Sequence, residues 1–128
     1  MTYSRDIAIE FAHCDPAGIV FYPRYVEMAQ NVVETFFTEE LDHPFAKLVA
    51  GGGGVPAVSL SFTFRKPSRL GDRLRWTLDV ARIGRTSIDF ALAADDRLTA
   101  GITVVWTEGM APAPIPDPIR QRLEAHHA

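Results

Sequence analysis

The chain has 128 residues, with 13 lysines and arginines against 16 aspartates and glutamates, a formal net charge of −3. This length predicts one domain spanning residues 1–128, and the mildly acidic balance argues against nucleic acid and anionic membranes as partners. The single cysteine, Cys14, excludes an intramolecular disulfide and a cysteine-rich zinc site. No run approaches the ~18 apolar residues that span a bilayer, and the first residues lack the plan of a signal peptide, so we expect a cytoplasmic protein.

The first part of the chain predicts a strand followed by a long helix. Ile7, Ile9 and Phe11 alternate with polar or small residues, which is the period of a half-buried strand. The segment 15–18, Asp-Pro-Ala-Gly, ends this strand in a turn. Apolar residues then recur every three or four positions, which predicts an amphipathic helix from about Pro23 to Leu41.

The rest of the chain predicts four antiparallel strands after a mobile loop of four glycines at 51–54. In each strand, apolar residues occupy every second position. They are Val58, Leu60, Phe62 and Phe64 in the first strand; Leu74, Trp76, Leu78 and Val80 in the second; Ile88, Phe90 and Leu92 in the third; and Ala100, Ile102, Val104 and Trp106 in the fourth. Their connections are too short for parallel crossovers. Residues 110–118 predict a proline-rich strap, and Asp117-Pro118 a capped final helix within a C-terminal segment 110–128. The element order predicts an α+β domain in which an antiparallel β-sheet wraps around one long central helix.

Four histidines and the cysteine are weak candidates for chemistry. We expect His43, His126 and His127 to be solvated surface residues. His13 and Cys14 are adjacent, and strand alternation would send them to opposite faces, so they are not expected to form a Cys–His pair. Cys14 is expected to be a small buried hydrophobe.

Asp15 is the strongest candidate for chemistry. It lies where a strand ends, shortly before a helix that starts near Tyr22-Pro23. The first amides of a helix lack internal partners and lie at the positive end of its dipole. A carboxylate beside such amides could act as a nucleophile or base next to an oxyanion site. The alternative is that Asp15 only caps the turn.

The segment from Glu10 to Tyr25, EFAHCDPAGIVFYPRY, resembles the signature of the 4-hydroxybenzoyl-CoA thioesterase family of hotdog-fold enzymes. The order of predicted elements extends this resemblance loosely from Tyr3 to Glu108. The resemblance implies a hotdog fold, an acyl-CoA substrate, and a homo-oligomer, either a dimer or a tetramer. It also implies hydrolysis of the thioester without a metal and without a cofactor, since coenzyme A is part of the substrate.

The resemblance assigns roles to residues of the loop and helix. Asp15 matches the catalytic aspartate, and Tyr22 matches the residue whose backbone amide polarises the thioester carbonyl. Gly18 belongs to the same motif and is assigned to the substrate site. Phe21 stands where the family enzyme has a tryptophan that lines the acyl ring, unless it belongs to the core. Gln30 replaces an aspartate that binds the ring hydroxyl.

These matches predict an aromatic acyl group of the benzoyl or hydroxybenzoyl type. The alternatives are a fatty acyl-CoA thioesterase of the same fold and a non-catalytic domain that binds acyl-CoA. Whether Asp15 attacks the carbonyl or deprotonates water stays open, and the resemblance favours attack.

Basic residues are concentrated in the middle of the chain. Seven of the 13 fall between residues 65 and 85, namely Arg65, Lys66, Arg69, Arg73, Arg75, Arg82 and Arg85. Only Asp72 and Asp79 oppose them there, and the excess suits the phosphates of coenzyme A. The alternative is the solvated polar face of a sheet. The resemblance implies that the turn 83–87 contacts the nucleotide, but Gly84 and Thr86 replace two of the family's basic residues there, so only Arg85 carries over cleanly. Arg82, Arg85 and Thr86 are the residues expected to contact coenzyme A.

Overall fold

The structure of the protein is a computed structural model that describes residues 1–127. In chain order its elements are strand β1 (Tyr3–Ala8), a 3-10 helix (Phe11–His13), helix α1 (Pro23–Glu39), helix α2 (Phe45–Ala50), β2 (Gly53–Gly54), β3 (Ala57–Phe64), β4 (Arg73–Ile83), β5 (Ser87–Ala94), β6 (Leu98–Val105), β7 (Thr107–Glu108), β8 (Ala111–Pro112) and helix α3 (Asp117–Glu124). Five strands form one antiparallel sheet in the order β1-β4-β5-β6-β3. The short strands β2, β7 and β8 form a second, three-stranded sheet.

Helix α1 supplies the centre of the core. Its apolar side is buried through Tyr25, Met28, Ala29, Val32, Val33, Phe36 and Phe37. The ring of Phe36 packs edge-on against Phe90 of β5 at a centroid distance of 5.7 Å. Alternate residues of β4 and β5 are buried beneath the helix, as their sequence period predicts. The predicted α+β hotdog arrangement, a sheet around one long helix, is confirmed.

The predicted first strand ends earlier than the alternation indicates. After Ala8 the chain turns into the 3-10 helix, where the Glu10 amide donates to His13 Nδ1 at 2.8 Å and the His13 amide to the Glu10 carbonyl at 2.9 Å. These local hydrogen bonds replace strand pairing and turn Phe11 outward, with 82% of its surface exposed. The prediction that Phe11 continues the strand was therefore wrong.

The glycine run is also more ordered than predicted. Gly53 and Gly54 pair with Glu108 and Thr107 in the second sheet. A side chain at Gly53 would approach the Thr107 carbonyl to 3.1 Å, so glycine permits this close backbone pairing. Helix α1 ends at Glu39, two residues before the predicted limit, although Leu41 remains buried. Helix α3 begins at Asp117, but no side chain caps it.

Two histidines predicted to lie on the surface contact the core. His126 is only 3% exposed, its Nδ1 lies 3.0 Å from the Met1 carbonyl, and its ring packs on Phe36 at 5.0 Å. This position follows from α3 folding back onto β4, where the Val80 amide donates to the His126 carbonyl at 3.1 Å. His43 is half-buried and lies 5.6 Å from the ring of Trp106. His127 is exposed, as predicted.

Candidate active site

The loop that carries Asp15 is a small hydrogen-bonded hairpin. Cys14 and Val20 pair across it, and the Asp15 amide donates to the Ile19 carbonyl at 2.9 Å. Gly18 closes the turn by donating from its amide to the Asp15 carbonyl at 3.0 Å. The φ of Gly18 is +79°, in the left-handed region that favours glycine. The loop therefore holds Asp15 on an ordered backbone.

The Asp15 carboxylate has one bound oxygen and one free oxygen. Oδ1 accepts a hydrogen bond from the Ala17 amide at 2.9 Å, which is the capping contact that one interpretation of the sequence predicts. Within residues 1–127, Oδ2 contacts no hydrogen-bond donor or cation. The carboxylate is half-buried. Capping the turn thus orients the group and leaves one oxygen available for chemistry.

That carboxylate opens onto a pocket of about 420 Å³. The pocket is lined by Phe11, Cys14, Asp15, Pro16, Gly18 and Leu70. Asp15 is the only charged residue among them, and the other side chains are apolar or small. Cys14 is half-buried against the core, close to its predicted character, and His13 lines a different pocket beside α1. The two neighbours do not form a nucleophilic pair.

Among residues 1–127, Tyr22 carries the one amide without an acceptor at the start of α1. Pro23 has no N–H, and the amides of Arg24 and Tyr25 donate to the carbonyls of Phe21 and Tyr22 at 2.9 and 3.0 Å. In the described part of the chain, the Tyr22 amide has no acceptor. The sequence predicts several free amides at the start of this helix. The structure leaves only the Tyr22 amide of residues 1–127 free there, at the positive end of the helix dipole.

Asp15 and Tyr22 line separate pockets within one subunit. Tyr22 borders a second pocket of about 320 Å³ together with Tyr25 and Phe64. Arg65 and Lys66 line the same pocket. This second pocket combines aromatic walls with cations, whereas the Asp15 pocket has no cation.

A buried serine, Ser68, connects the Asp15 loop to the first turn of α1, and no pattern in the sequence predicts it. The Ser68 carbonyl accepts from the Val20 amide at 2.9 Å, and Tyr25 Oη donates to Ser68 Oγ at 2.8 Å. Ser68 is therefore fixed between the Asp15 loop and the first turn of α1. Its partners lie more than 40 residues away in sequence, and no local pattern marks such a contact.

The turn after Ser68 carries Leu70 and is held by an ion pair. Arg97 Nη1 lies 2.8 Å from Asp72 Oδ2, which also accepts from the Arg69 amide at 2.9 Å. The hydrogen-bonded guanidinium of Arg97 is the main cause, and the Arg69 amide the second, of a pKa of Asp72 below its ordinary value. The charged form of Asp72 therefore stabilises this turn.

Phe21 and Gln30, predicted to read the acyl group, do not line the Asp15 pocket of their own subunit. Phe21 is exposed and its ring lies 5.5 Å from Tyr22, so it does not belong to the core. Gln30 is exposed two helical turns after Tyr22, whose ring faces Phe64 of β3 at 6.4 Å. Phe21 is therefore linked to the edge strand β3 through the rings of Tyr22 and Phe64, and Gln30 lies on the exposed face of α1.

The basic cluster in the sequence divides into two groups in space. Arg65, Lys66, Arg69 and Arg73 surround the start of β4, near the Asp15 loop, and Arg82 and Arg85 lie at its far end. At about 3.3 Å per residue, nine residues of strand place the two groups on the order of 30 Å apart. Lys66 is paired with Asp96 at 2.7 Å, and Arg75 with Asp6 at 3.5 Å. The basic residues that are clustered in the sequence are therefore distributed over two places in one subunit.

The far group consists of exposed cations on an ordered turn. Arg82 and Arg85 are exposed, and neither forms a salt bridge within residues 1–127. The backbone around them is fixed because the Thr86 carbonyl accepts from the Trp106 amide at 2.7 Å and the Arg85 carbonyl from the Ile115 amide at 3.0 Å. The turn can therefore present two cations without rearranging.

Residues 1–127 show neither a metal-binding cluster nor a helix suited to a membrane. No group of three His, Cys, Asp or Glu side chains there is arranged to hold a metal ion. No helix in that range combines the length and apolar character that crossing a membrane requires.

The sheet wrapped around one long helix is the architecture of the hotdog-fold thioester hydrolases, and the loop before that helix carries the candidate carboxylate Asp15. The chain belongs to the thioesterase superfamily, whose family model matches residues 17–97. The matched residues include Tyr22, Gln30 and Arg85 and begin two residues after Asp15. No curated protein matches the sequence significantly.

Solved structures show the same fold along nearly the whole chain. A thioesterase superfamily protein from Jannaschia is 23% identical, with a TM-score of 0.90 over 99% of this chain and 94% of that chain. A gentisyl-coenzyme A thioesterase is 25% identical, with a TM-score of 0.84 over 94% of this chain and 99% of the other. A 1,4-dihydroxy-2-naphthoyl-CoA thioesterase from Synechocystis is 20% identical, with a TM-score of 0.84 over 96% of each chain.

Proposed function

We propose that this protein hydrolyses aromatic acyl-CoA thioesters to the free acid and coenzyme A, with Asp15 as the reacting carboxylate. The observation that carries the proposal is the Asp15 carboxylate, oriented through Oδ1 and free at Oδ2, at an open apolar pocket. The loop that holds it leads directly into α1, and the amide of Tyr22, the residue before that helix, has no acceptor among the described residues.

The chemistry requires few groups because a thioester carbonyl is electrophilic and its thiolate leaves readily. Asp15 Oδ2 either attacks the carbonyl carbon, giving a mixed anhydride that water then cleaves, or takes a proton from the attacking water. On both routes the carbonyl oxygen becomes an oxyanion, and the Tyr22 N–H stabilises that charge. On both routes the C–S bond breaks, the thiolate of coenzyme A leaves, and neither a metal nor a further cofactor takes part.

The aromatic acyl class is supported by the residues around the site and by one relative. The exposed rings of Phe21 and Tyr22 offer flat apolar surface of the kind that packs against a benzoyl ring. The gentisyl-coenzyme A thioesterase, 25% identical to this chain, acts on an aromatic acyl group by its name. Gln30 supplies a neutral polar group, suited to a modest preference among ring substituents.

A dimer is proposed as the working unit because β3 leaves apolar surface uncovered. It is an edge strand paired only with β6, and Leu60, Phe62 and Phe64 lie opposite the inward residues of that neighbour. Even so, Leu60 is 50% exposed and Phe64 is also exposed. An exposed edge strand with an apolar face is a pairing surface, and a second copy pairing there would cover it. Phe21, linked to β3 through the rings of Tyr22 and Phe64, would then lie beside the interface.

Coenzyme A is proposed to be bound by Arg82, Arg85 and Thr86. In one subunit these residues are on the order of 30 Å from the Asp15 loop along β4, so a different subunit would supply them to a given site. The dimer or a tetramer built from it provides that subunit. Guanidinium groups bind phosphate through paired, charge-assisted hydrogen bonds, which suits the nucleotide end of coenzyme A.

Release of free thiol from a panel of acyl-CoA thioesters tests the proposal. The panel consists of benzoyl-, 4-hydroxybenzoyl-, hexanoyl- and palmitoyl-CoA, compared by kcat/KM. We expect the benzoyl esters to be preferred. A tenfold preference for a linear chain would replace the aromatic class by the fatty acyl class, and binding of every ester without thiol release would indicate a non-catalytic domain.

A further inference from the structure

The Asp15 pocket has an apolar wall that the roles assigned so far leave unused. Phe11 and Leu70 line this pocket and are 82% and 51% exposed. We propose that Phe11 and Leu70 form the acyl-contacting wall of the active site and determine selectivity for bulky acyl groups. This inference rests on the proposed thioesterase function and concerns the part of the substrate that these two side chains contact.

Both residues are held by ordered backbone that is hydrogen-bonded to the Asp15 loop or to its neighbours. The Cys14 amide donates to the Phe11 carbonyl at 3.1 Å, which ties the 3-10 helix to the residue before Asp15. The Leu70 amide donates to the Gly18 carbonyl at 3.1 Å, and the next amide, of Gly71, donates to the Ile9 carbonyl at 3.1 Å. The two side chains are therefore presented at fixed positions relative to the carboxylate.

An exposed phenylalanine and an exposed leucine on rigid backbone gain free energy when a ligand covers them. The occupant must be apolar because Asp15 is the only charged residue of the pocket lining. The pantetheine arm of coenzyme A carries two amides, which lose hydrogen bonds in an apolar site. A benzoyl ring has no hydrogen bonds to lose in an apolar site. Its carbonyl carbon must also lie beside Asp15, because Asp15 is the reacting carboxylate. The acyl group is therefore the part of the substrate that fits this wall.

The second pocket, by contrast, is lined by the cations Arg65 and Lys66 next to Tyr22, so an apolar acyl group is better matched by the wall of Phe11 and Leu70.

The test compares the selectivity of Phe11→Ala and Leu70→Ala with that of the wild type. Benzoyl-CoA and acetyl-CoA share the coenzyme and differ in acyl size. We expect Phe11→Ala to lower the benzoyl-to-acetyl ratio of kcat/KM roughly 10- to 100-fold, the effect of losing contact with one large apolar side chain. Phe11→Leu, which keeps apolar bulk, should restore part of the ratio. Met110→Ala is the matched control, since Met110 is 96% exposed and lines neither pocket.

A second pair of substrates separates the acyl group from the coenzyme arm. Benzoyl and acetyl thioesters of N-acetylcysteamine lack most of that arm, and the fall in ratio should persist with them. The inference is overturned if the benzoyl-to-acetyl ratio of kcat/KM is unchanged in Phe11→Ala and Leu70→Ala. It is also overturned if the ratio falls only with the coenzyme A thioesters, or if the variants change the oligomeric state. In each of these cases an active wild type leaves the proposed function standing. A wild type that cleaves no thioester overturns both.

Discussion

Asp15 Oδ1 accepts a hydrogen bond from the amide of Ala17 at 2.9 Å, so the turn that carries the carboxylate also orients it. Asn at position 15 can keep this hydrogen bond through its side-chain oxygen while losing the negative charge. We expect Asp15→Asn to fold like the wild type and to lose at least ~100-fold in turnover of its best thioester, the range for one lost catalytic group.

The control for Asp15→Asn is Asp42→Asn, which removes a charge from an exposed residue outside the candidate site. Thermal unfolding should give similar Tm values for the two variants and the wild type. Wild-type turnover by Asp15→Asn, after removal of contaminating thioesterase, would contradict the role of Asp15. A single turnover in ¹⁸O-labelled water tests direct attack: ¹⁸O in the Asp15 carboxylate and none in the acid product shows that Asp15 attacked and that water cleaved the mixed anhydride at the Asp15 carbonyl.

Gln30→Asp is expected to sharpen discrimination between ring substituents. A carboxylate accepts a charge-assisted hydrogen bond from a phenol, which is about twice as strong as a neutral one. We expect the ratio of kcat/KM for 4-hydroxybenzoyl-CoA over benzoyl-CoA to rise roughly three- to tenfold. Gln30→Ala serves as the comparison and should lower the ratio or leave it near that of the wild type. No change in either variant would place Gln30 away from the ring.

Arg85→Ala is expected to weaken binding of the coenzyme without affecting the chemical step. Loss of one charge-assisted contact to a phosphate at an exposed site should raise KM for an acyl-CoA about three- to tenfold. The same variant should cleave an N-acetylcysteamine thioester like the wild type, because that substrate has no phosphate. Arg122→Ala on α3 is the control for a lost exposed arginine. Equal losses with both substrates would argue against a phosphate contact.

Leu60→Lys is expected to separate the subunits. Leu60 is half-exposed on the edge strand β3, and a lysine there would place a charge in the centre of the proposed interface. Light scattering should show a dimer or larger assembly for the wild type and a monomer for the variant at micromolar concentration. Thioesterase turnover should fall about tenfold or more along with assembly, as for a central interface residue. Met110→Lys is the control for an added charge. A wild-type protein that is fully active as a monomer would contradict the proposal that the dimer is the working unit.

Asp72→Asn is expected to change the response of stability to acid. The pKa of Asp72 is lowered mainly by Arg97, so the stabilisation is present above the unfolded-state pKa and is lost as pH falls through the folded-state pKa. The variant should therefore have a lower Tm than the wild type at about pH 7, and the difference should narrow towards about pH 3. Asp42→Asn should leave the pH profile of Tm close to that of the wild type. A gap that stays constant with pH would contradict the assignment.

The main elements of the fold could be predicted from the sequence because their signals are periodic. Residues 57–64, 73–83, 87–94 and 98–105 form strands where alternation predicts them, and α1 begins at Pro23 as predicted. The sequence also predicts the position of Asp15 before that helix, because the turn-forming residues Pro-Ala-Gly directly follow it. Such features depend on residues within a few positions of one another, and a one-dimensional pattern records them.

Other features were decided by contacts between distant segments. Arg73 and Arg82 are near in sequence, yet an extended strand carries them to opposite ends of the sheet. His126 lies among polar residues near the end of the sequence, which favours exposure. It is buried because α3 packs on β4. Phe11 has the period of a strand, and a local 3-10 turn exposes it beside Asp15 instead. The sequence by itself determined the periodic elements and the carboxylate that precedes the helix. Only the tertiary structure decided which side chains surround that carboxylate, because burial and proximity depend on the whole packed chain.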